Sequence, residues 1–254
     1  DLQQTKDSLQ QAISTKQFDR LVAVGGDGLI NLCVQYLAQS NISLAVIPAG
    51  TGNDFSRAVG FHGKTVLQIF EILNKQSPRK IDLGSVKGPN SSRWYVQVLS
   101  TGFDAKVNEL ANRITWLRGK SKYTIAMILI LSKFKALVYE IEIDGRTYSR
   151  AAMLLSVANG ETYGGGMRIC PGASNSDGVL DILVVSPVSK FVLLTIFPKV
   201  FTGKHILHPK VDLLHGSVIK ISAPGSAYAD GEYIAELPIE IINVKGALST
   251  WVAV

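Results

Sequence analysis

Two segments near the start of the chain combine a short apolar run with a glycine-rich loop. Residues 20–24 are apolar without alternation and lead into Gly-Gly-Asp-Gly at 25–28, and such a run is typical of a strand buried on both faces. Residues 43–47 form a second apolar run, which ends at the loop of residues 48–54. Between the loops, apolar side chains recur with the spacing of one helix face, at Ile30, Cys33, Val34, Leu37 and Ala38. The pattern predicts two parallel strands joined by a helix, with both loops at one sheet edge, which is where ligands bind in open α/β sheets.

The two loops have the residue types of a phosphate site. Glycines before a helix let backbone N–H groups reach an anion, and a carboxylate beside them suits the Mg²⁺ that accompanies a nucleotide. The spacing fits neither GxGxxG nor GxxxxGK[ST], and one glycine loop alone is also typical of a tight turn without a ligand. Because each loop carries an aspartate, we interpret them as nucleotide-binding, through Gly25, Gly26, Asp27, Gly28, Gly50, Thr51, Gly52, Asn53 and Asp54.

These loops resemble those of the diacylglycerol kinase catalytic domain family, and the resemblance continues to the C-terminus. It is carried by GGDG at residues 25–28, PAGTGNDFSR at 48–57, KIDLG at 80–84, YGGGM at 163–167, DGVLDI at 177–182 and ADGE at 229–232. The family includes bacterial soluble lipid kinases and sphingosine kinases, and it is more distantly similar to NAD kinases. The resemblance implies an α/β, Rossmann-like N-terminal domain and a mainly antiparallel β-sandwich C-terminal domain, with the active site in the cleft between them.

The resemblance also implies roles for acidic residues. Asp27, Asp54 and Asp82 would form a water-mediated Mg²⁺ network beside ATP, and for the first two the alternative is a helix N-cap. Glu232 would be the general base on the lipid hydroxyl, with Asp230 as a neighbour that orients it or shares the role. A plain hairpin turn is the alternative for the segment that contains these two residues.

A separate structural Mg²⁺ site in the second domain is implied by the segment SDGVLD at residues 176–181. In the family this site uses one Asp side chain and two backbone carbonyls, which map to Asp177 and to Ser174 and Val179. Oxygen ligands of this kind suit Mg²⁺, whereas a turn closed by Asp-Gly is the alternative that needs no metal.

Two features depart from the family pattern. Leu29 stands where most members have Thr, so one hydroxyl near the nucleotide is missing. No strand with an NPxSG-like loop precedes residue 20, and a doubly wound sheet does not usually open with a helix. We therefore expect the first strands of the domain to precede this sequence.

The alternation of helices and strands ends near residue 83, where we place a domain boundary. Upstream, the spacing predicts helices over residues 1–18 and 64–74, the second of which ends before Pro78. Downstream, the pattern predicts strands at 94–99, 138–143, 148–158, 179–186, 217–222, 237–242 and 247–252, with helices at 101–112, 123–134 and 189–201. We divide the chain into an α/β nucleotide-binding domain (1–83) and a β-sandwich-like lipid-substrate domain (84–254), and we leave open whether the last strands return to the first domain.

Composition and charge narrow the range of partners. The 254 residues are 46% hydrophobic and 18% charged, with a formal net charge of +6, which favours an anionic partner. No nucleic-acid motif is present, so we expect a lipid substrate at a membrane surface and no nucleic acid, and a homodimer through edge strands is left open. Two clusters, at 116–122 and 197–205, combine aromatic and basic residues as a membrane surface favours, although solvated loops or core-facing helix ends are the alternative.

The remaining residues support no disulfide and no zinc site. Cys33 and Cys170 lie in unrelated segments and are expected to be buried thiols, while His205 and His208 lack further ligands for zinc. Arg57 either reaches phosphate or caps its own helix. No apolar stretch approaches the roughly 20 residues of a membrane span, and the N-terminus has no signal-peptide pattern. We therefore expect a cytoplasmic protein that associates peripherally with membranes.

The function that the sequence favours is an ATP- and Mg²⁺-dependent lipid kinase. It would phosphorylate the hydroxyl of diacylglycerol or of a related lipid alcohol, for example to give phosphatidic acid. Two alternatives stay open. One is an NAD kinase-like or other small-molecule kinase, and the other is a non-catalytic relative that binds nucleotide or lipid.

Overall fold

The computed structural model describes residues 2–15, 18–114 and 120–253. The helices are α1 (Leu2–Thr15), α2 (Asp27–Leu37), α3 (Asp54–Ala58), α4 (Val66–Lys75), α5 (Phe103–Arg113), α6 (Lys120–Lys133) and α7 (Lys190–Ile196), with 3-10 helices at Phe197–Thr202 and Lys204–Leu207. The strands are β1 (Arg20–Gly25), β2 (Ser43–Pro48), β3 (Arg79–Lys87), β4 (Ser92–Tyr95), β5 (Val98–Gly102), β6 (Leu137–Ile143), β7 (Arg146–Ala152), β8 (Leu154–Ala158), β9 (Thr162–Tyr163), β10 (Met167–Arg168), β11 (Leu180–Val185), β12 (Val211–Gly216), β13 (Val218–Ser222), β14 (Ser226–Ala229), β15 (Glu232–Glu236) and β16 (Ile239–Thr250). No helix among the described residues is long and apolar enough to span a membrane.

The first two strands lie as the sequence predicts. β1 and β2 pair in parallel, with Val24 opposite Ile47, so the two glycine loops follow at the same sheet edge. The predicted apolar face of α2 packs into the core of this lobe, together with Phe55 and Phe61. The α/β character of the N-terminal lobe is therefore confirmed.

The C-terminal lobe is a sandwich of two antiparallel layers. One layer is the far part of the eight-stranded sheet, in which β13, β6 and β7 follow β16. The other is a six-stranded sheet in the order β12-β11-β8-β5-β14-β15. Fully buried side chains from both sheets fill the space between them, including Leu99, Leu155, Leu180, Ile141 and Ile219. The β-sandwich expectation is confirmed.

One long strand, β16, belongs to both lobes. Its first half pairs with β13 in the sandwich, with Val218 opposite Ile242, and its whole length pairs with β3. At its end Thr250 lies opposite Leu44 of β2, and the Thr250 hydroxyl donates to the Leu44 carbonyl at 2.6 Å. The sequence pattern predicted two strands here, at 237–242 and 247–252. The structure instead has one strand with a register shift between Val244 and Leu248, because the bulge restores pairing after the break in the apolar pattern.

Two predicted strands are each split between the two sheets. Residues 94–99 become β4 and β5, because the carboxylate of Asp230 accepts the N–H groups of Val96, Gln97 and Val98 where the chain passes from one layer to the other. Residues 148–158 become β7 and β8, with Met153 at the crossing. A period-2 pattern continues through such crossings, so the sequence alone does not mark them.

The helix predicted over residues 189–201 is shorter than expected. α7 ends at Ile196, and a 3-10 helix with Pro198 in its first turn follows. Proline has no N–H to continue an α-helical ladder, but it is tolerated in a first turn. The change of helix type places Phe197 and Phe201 in edge-to-face contact, with ring centroids 6.4 Å apart.

Gly84 provides a test of how tightly β3 packs on β4. It lies opposite Tyr95, and a Cβ at Gly84 would lie 2.0 Å from Cε1 of that fully buried ring. We expect Gly84→Ala to lower the free energy of unfolding by about 1–3 kcal/mol through overpacking, measured by urea denaturation. The neighbouring Ser85→Ala is the control, with an expected change within about 0.5 kcal/mol. Equal stability of the two variants would contradict this packing.

Candidate functional site

The two glycine loops touch each other. A Cβ at Gly50 would lie 2.5 Å from the Cα of Gly26, and a Cβ at Gly26 would lie 3.0 Å from the Cα of Gly50. Asn53 fixes the second loop, since its side chain accepts from the Gly50 N–H at 2.9 Å and donates to the Gly50 carbonyl at 2.7 Å. The loops therefore form one continuous backbone surface, at a place where only glycine allows such close contact.

Asp27 joins the two loops through a helix cap. Its Oδ1 accepts the N–H groups of Asp54 at 2.8 Å and Phe55 at 3.3 Å, so it caps α3 rather than its own helix. α2 has Gly26 at its N-cap with no side-chain bond, and α3 has Asn53. The interpretation of Asp27 and Asp54 as caps of their own helices is therefore wrong, because each is the first residue inside its helix.

Asp54 connects the N-terminal lobe to the YGGGM segment of the C-terminal lobe. Its two carboxylate oxygens accept the N–H groups of Gly165 at 2.7 Å and Gly166 at 2.8 Å. The side chain is buried, and this burial raises the pKa of Asp54, while the Gly165 amide acts in the opposite direction. The contact holds the two lobes together beside the glycine loops.

Asp230 and Glu232 have different environments. Asp230 has φ of +52° and points inward to the three backbone N–H groups where β4 passes into β5, and burial raises its pKa to about 6. Asn31 Nδ2 also approaches its carboxylate, at 3.5 Å. Glu232 is exposed, and its Oε1 lies 3.8 Å from the position of a Cβ at Gly28. The carboxylate of Asp230 is thus occupied by the fold, and that of Glu232 faces the first glycine loop.

A cleft of about 620 Å³ collects these groups between the lobes. Its polar end is formed by sequence-predicted residues, namely Gly26, Asp27, Gly28, Gly50, Thr51, Gly52, Asp54, Asp230 and Glu232. Its other end is apolar and aromatic, and its lining includes Phe103, Val107, Tyr123, Met127, Phe197 and Phe201. Leu29, the departure from the family pattern, packs over Gly25, with Cδ2 2.7 Å from the position of a Cβ there.

A buried polar cluster lies in this cleft and was missed at the sequence level. Asp104 of α5 accepts from the Ser100 hydroxyl, from Asn108 Nδ2 at 3.2 Å and from the Tyr163 hydroxyl at 3.0 Å. Burial raises the pKa of Asp104. The i, i+4 spacing of Asp104 and Asn108 was the available signal, but Ser100 and Tyr163 come from other strands and meet it only through the fold.

Asp82 is not among the residues that line the cleft. It is 4% exposed, and its two oxygens accept the N–H groups of Gly178 at 2.7 Å and Gly246 at 2.8 Å. Its own N–H donates to the Asn175 carbonyl at 2.7 Å. Asp82 therefore ties β3 to the loop that contains Gly178 and to the bulge of β16. Its role in a Mg²⁺ network stays a prediction.

The second predicted metal site lies in the loop that contains Gly178. Asp177 Oδ1 accepts the Val179 N–H at 3.0 Å, and the Ser174 and Ser176 hydroxyls lie 3.1 Å apart. The Val179 carbonyl accepts from Asn243 Nδ2 at 3.4 Å. Within the described ranges, no three His, Cys, Asp or Glu side chains gather as a metal cluster. The metal role of Ser174, Asp177 and Val179 also stays a prediction.

Other singled-out residues have simple environments. Arg57 lines a separate cavity of about 510 Å³ behind the YGGGM loop, with its Cζ 3.5 Å from the position of a Cβ at Gly166. His205 is buried, with Nε2 2.9 Å from the Ile169 carbonyl. Cys33 and Cys170 are free and buried. Part of the cluster at 116–122 lies outside the described residues.

The contacts of Asp82 lead to a stability prediction. In Asp82→Asn an amide NH₂ would face a backbone N–H, so we expect the free energy of unfolding to fall by about 1–3 kcal/mol, measured by urea denaturation without divalent metal. Asp177→Asn is the matched control, since its carboxylate is exposed and binds one N–H. If Asp82 were only a metal ligand, without a structural role, the Asp82→Asn variant would be as stable as the wild type, or more stable, in the absence of metal.

Comparisons with known proteins agree with this architecture. Residues 2–86 match the model of the diacylglycerol kinase catalytic domain, and residues 97–252 match that of the YegS C-terminal NAD kinase beta sandwich-like domain. A diacylglycerol kinase of Mycobacterium tuberculosis is 37% identical over 243 residues, which cover 94% of this chain and 79% of that protein. One of Bacillus subtilis is 26% identical over 234 residues, which cover 90% of this chain and 76% of that protein.

Solved structures show the same fold. A putative diacylglycerol kinase from Bacillus anthracis superposes with a TM-score of 0.79 at 24% identity, covering 98% of this chain and 83% of that one. An NAD kinase from Archaeoglobus fulgidus in complex with ATP superposes with a TM-score of 0.53 at 14% identity. The match covers 98% of this chain and 88% of that one. Together with the sequence matches to both domains, these findings establish that the chain belongs to the diacylglycerol kinase family.

Proposed function

We propose that the protein transfers the γ-phosphoryl group of ATP, with Mg²⁺, to the hydroxyl of diacylglycerol or a related lipid alcohol. One observation carries the proposal: a single cleft has a backbone phosphate cradle at one end and an apolar lining at the other, with Glu232 facing the cradle. Phosphoryl transfer needs a phosphate cradle, a metal and a proton acceptor in this relation.

The residues of the polar end fit a nucleotide with its metal. Gly26 and Gly50 place no side chain of their own between an anion and the backbone where the two loops touch. Asp27 has one oxygen engaged in the cap of α3, while Oδ2 faces Gly52, 2.5 Å from the position of a Cβ there. Asp27 is therefore a residue that would hold Mg²⁺ directly or through its water. Asp54, whose two oxygens each accept one N–H, would use its remaining lone pairs for a water of the metal. When bound, Mg²⁺ supplies positive charge that neutralises the phosphates.

Glu232 is the group suited to accept the hydroxyl proton. It lies beside the first glycine loop, and its exposed carboxylate is free to turn toward a substrate in the cleft. Asp230 is suited to a different task, because its carboxylate is held by three backbone N–H groups. We assign Glu232 as the base and Asp230 as the residue that fixes the turn from which Glu232 projects.

The apolar end of the cleft supports a lipid rather than a soluble acceptor. Aromatic and aliphatic side chains of α5, α6 and the first 3-10 helix line it, including Phe103, Met127 and Phe201. Such a lining gains free energy by taking acyl chains from water, whereas the polar surface of a dinucleotide would gain none. A free hydroxyl held between the two ends would lie next to Glu232.

The surface outside this end supports contact with an anionic membrane. Residues 110–139 and 182–211 contain none of the 20 acidic residues but hold six and four of the 26 Lys and Arg residues. α6 and α7 contact each other here, since Lys190 donates to the Ser132 carbonyl and Leu193 packs on the α5–α6 core. Large apolar side chains are exposed on α7 and on the second 3-10 helix, with Phe191 82% and Leu207 80% accessible. Apolar and basic groups together favour anionic bilayers.

Mutation of Glu232 tests the catalytic assignment. With dioctanoylglycerol in mixed micelles and Mg-ATP, we expect Glu232→Gln to lower kcat by about 10²–10⁴-fold while the Kd of an ATP analogue, measured by calorimetry, is unchanged. Glu236→Gln, on the same strand, is the matched control and should keep wild-type kcat. An unchanged kcat in Glu232→Gln would contradict the mechanism. Phosphorylation of NAD but not of the lipid would favour the small-molecule kinase, and nucleotide binding without transfer to any lipid alcohol would favour the non-catalytic relative.

Removal of the exposed apolar groups tests the membrane contact. We expect the double variant Phe191→Ser/Leu207→Ser to bind vesicles of phosphatidylglycerol at least tenfold more weakly in sedimentation, because each buried side chain contributes roughly 1.5–3 kcal/mol. Leu67→Ser, a 77% exposed leucine of α4, is the control and should bind as the wild type does. Equal binding by the wild type and both variants would contradict the proposal. So would equal binding of the wild type to vesicles of phosphatidylglycerol and of phosphatidylcholine.

A further inference from the structure

Hydrogen bonds at two places along one short loop link helix α5 to Asp54 across the cleft. Asp104 of α5 accepts the Tyr163 hydroxyl at 3.0 Å. Tyr163 opens the YGGGM segment, and two residues later the N–H groups of Gly165 and Gly166 bind the two oxygens of Asp54. The apolar end of the cleft is thereby connected to its polar end through one short loop.

Asp104 is a costly residue for this place in the fold. Burial raises its pKa, and among the described residues it takes part in no ion pair. Its hydrogen bonds come from the neutral donors Ser100, Asn108 and Tyr163. An apolar group of similar volume would pack here without the desolvation cost, so packing alone does not explain a carboxylate.

The loop between Tyr163 and Met167 has little structure of its own to define its shape. Gly164, Gly165 and Gly166 have φ of +61°, +85° and +103°, and the flanking β9 and β10 are two residues each. Three successive glycines have a wide choice of backbone conformations, so the loop depends on its attachments. The Tyr163 hydroxyl, bonded to Asp104, is one such attachment and comes two residues before Gly165.

The other end of this connection lies among the lipid-facing groups. Phe103 and Val107, which flank Asp104 on α5, line the apolar end of the cleft. Phe103 also packs edge to face on Phe134, with centroids 5.6 Å apart. A lipid tail in the cleft would contact the same turn of α5 that carries Asp104. Whatever orders this turn also orders the acceptor of the Tyr163 hydroxyl.

We propose that Asp104 and Tyr163 are positioning residues, which hold the loop 163–167 on Asp54. They thereby make nucleotide binding sensitive to the molecule that occupies the apolar end of the cleft. The inference rests on the proposed function for the identity of the two ligands. The connection through the loop is independent of whether transfer occurs. Neither residue touches the reacting atoms in this scheme.

Tyr163→Phe tests the connection with the loss of one hydroxyl. We expect amide hydrogen exchange at Gly165 and Gly166 to become at least tenfold faster in Tyr163→Phe and in Asp104→Leu, which removes the acceptor of the Tyr163 hydroxyl, with less change in the β-sandwich core. Tyr233→Phe is the matched control, because its hydroxyl also donates to a carboxylate, that of Glu236, at 3.3 Å. Unchanged exchange at these two glycines in Tyr163→Phe would overturn the proposal, and so would equal acceleration throughout the protein.

The second measurement tests the sensitivity of nucleotide binding. The Kd of a non-hydrolysable ATP analogue is measured by calorimetry with and without dioctanoylglycerol. In the wild type and in Tyr233→Phe we expect the lipid to lower the Kd of the nucleotide about three- to tenfold. In Tyr163→Phe we expect the ratio of the Kd without lipid to the Kd with lipid to be near one. A ratio unchanged by Tyr163→Phe would overturn the coupling. Failure of the proposed function would be visible separately, as absence of lipid phosphorylation by the wild type, while the exchange result still decides the loop connection.

Discussion

The close approach of Gly26 to Gly50 is the contact on which the polar end of the cleft depends. Two loops from neighbouring parallel strands meet at van der Waals distance, and a side chain at either glycine would prevent the contact. Asp27 stabilises the arrangement, because its carboxylate crosses from the first loop to the amides that begin α3. A helix N-terminus that is capped from outside keeps its direction even though α3 is only five residues long. The shape of the backbone at the polar end of the cleft is thus set by contacts within the two loops.

Each acidic residue around the cleft has its own set of donors, although the charge of Asp27 still contributes to the raised pKa of Asp54. Asp27 accepts backbone N–H groups at the start of α3, and Asp54 accepts those of Gly165 and Gly166. Asp230 accepts the N–H groups at the crossing from β4 to β5. Asp104 uses side chains instead. Hydrogen bonds from neutral donors offset the desolvation of buried carboxylates only in part, which agrees with the raised pKa values of Asp54, Asp104 and Asp230. Glu232 differs from all of these in facing solvent and the cleft.

The sequence could predict the loops because both the strands and the glycines have local signatures. The neighbourhood of Gly26 and Gly50 follows from parallel pairing of two adjacent strands, which is a short-range feature of the chain. The Asp104 cluster could not be predicted, since Ser100, Asp104 and Tyr163 come from separate elements and no periodicity relates them. Asp82 illustrates a second limit. Its short motif is compatible with a metal ligand, but its bonds to Gly178 and Gly246 join segments about 100 and 160 residues away, and a local pattern contains no information on such contacts.

Because β16 runs through both lobes, their relation is set by a sheet and not by a linker. The strand pairs with β13, with β3 and at its end with β2, so opening the cleft as a hinge would break ladder hydrogen bonds in several strands at once. Segments outside the two large sheets are not held in this way. They include the glycine loop 164–166, which joins the two-residue strands β9 and β10, and the helices α6 and α7. The two large sheets thus fix the position of the glycine loops, while the segments outside them contact Asp54 on one side and line the apolar end of the cleft on the other.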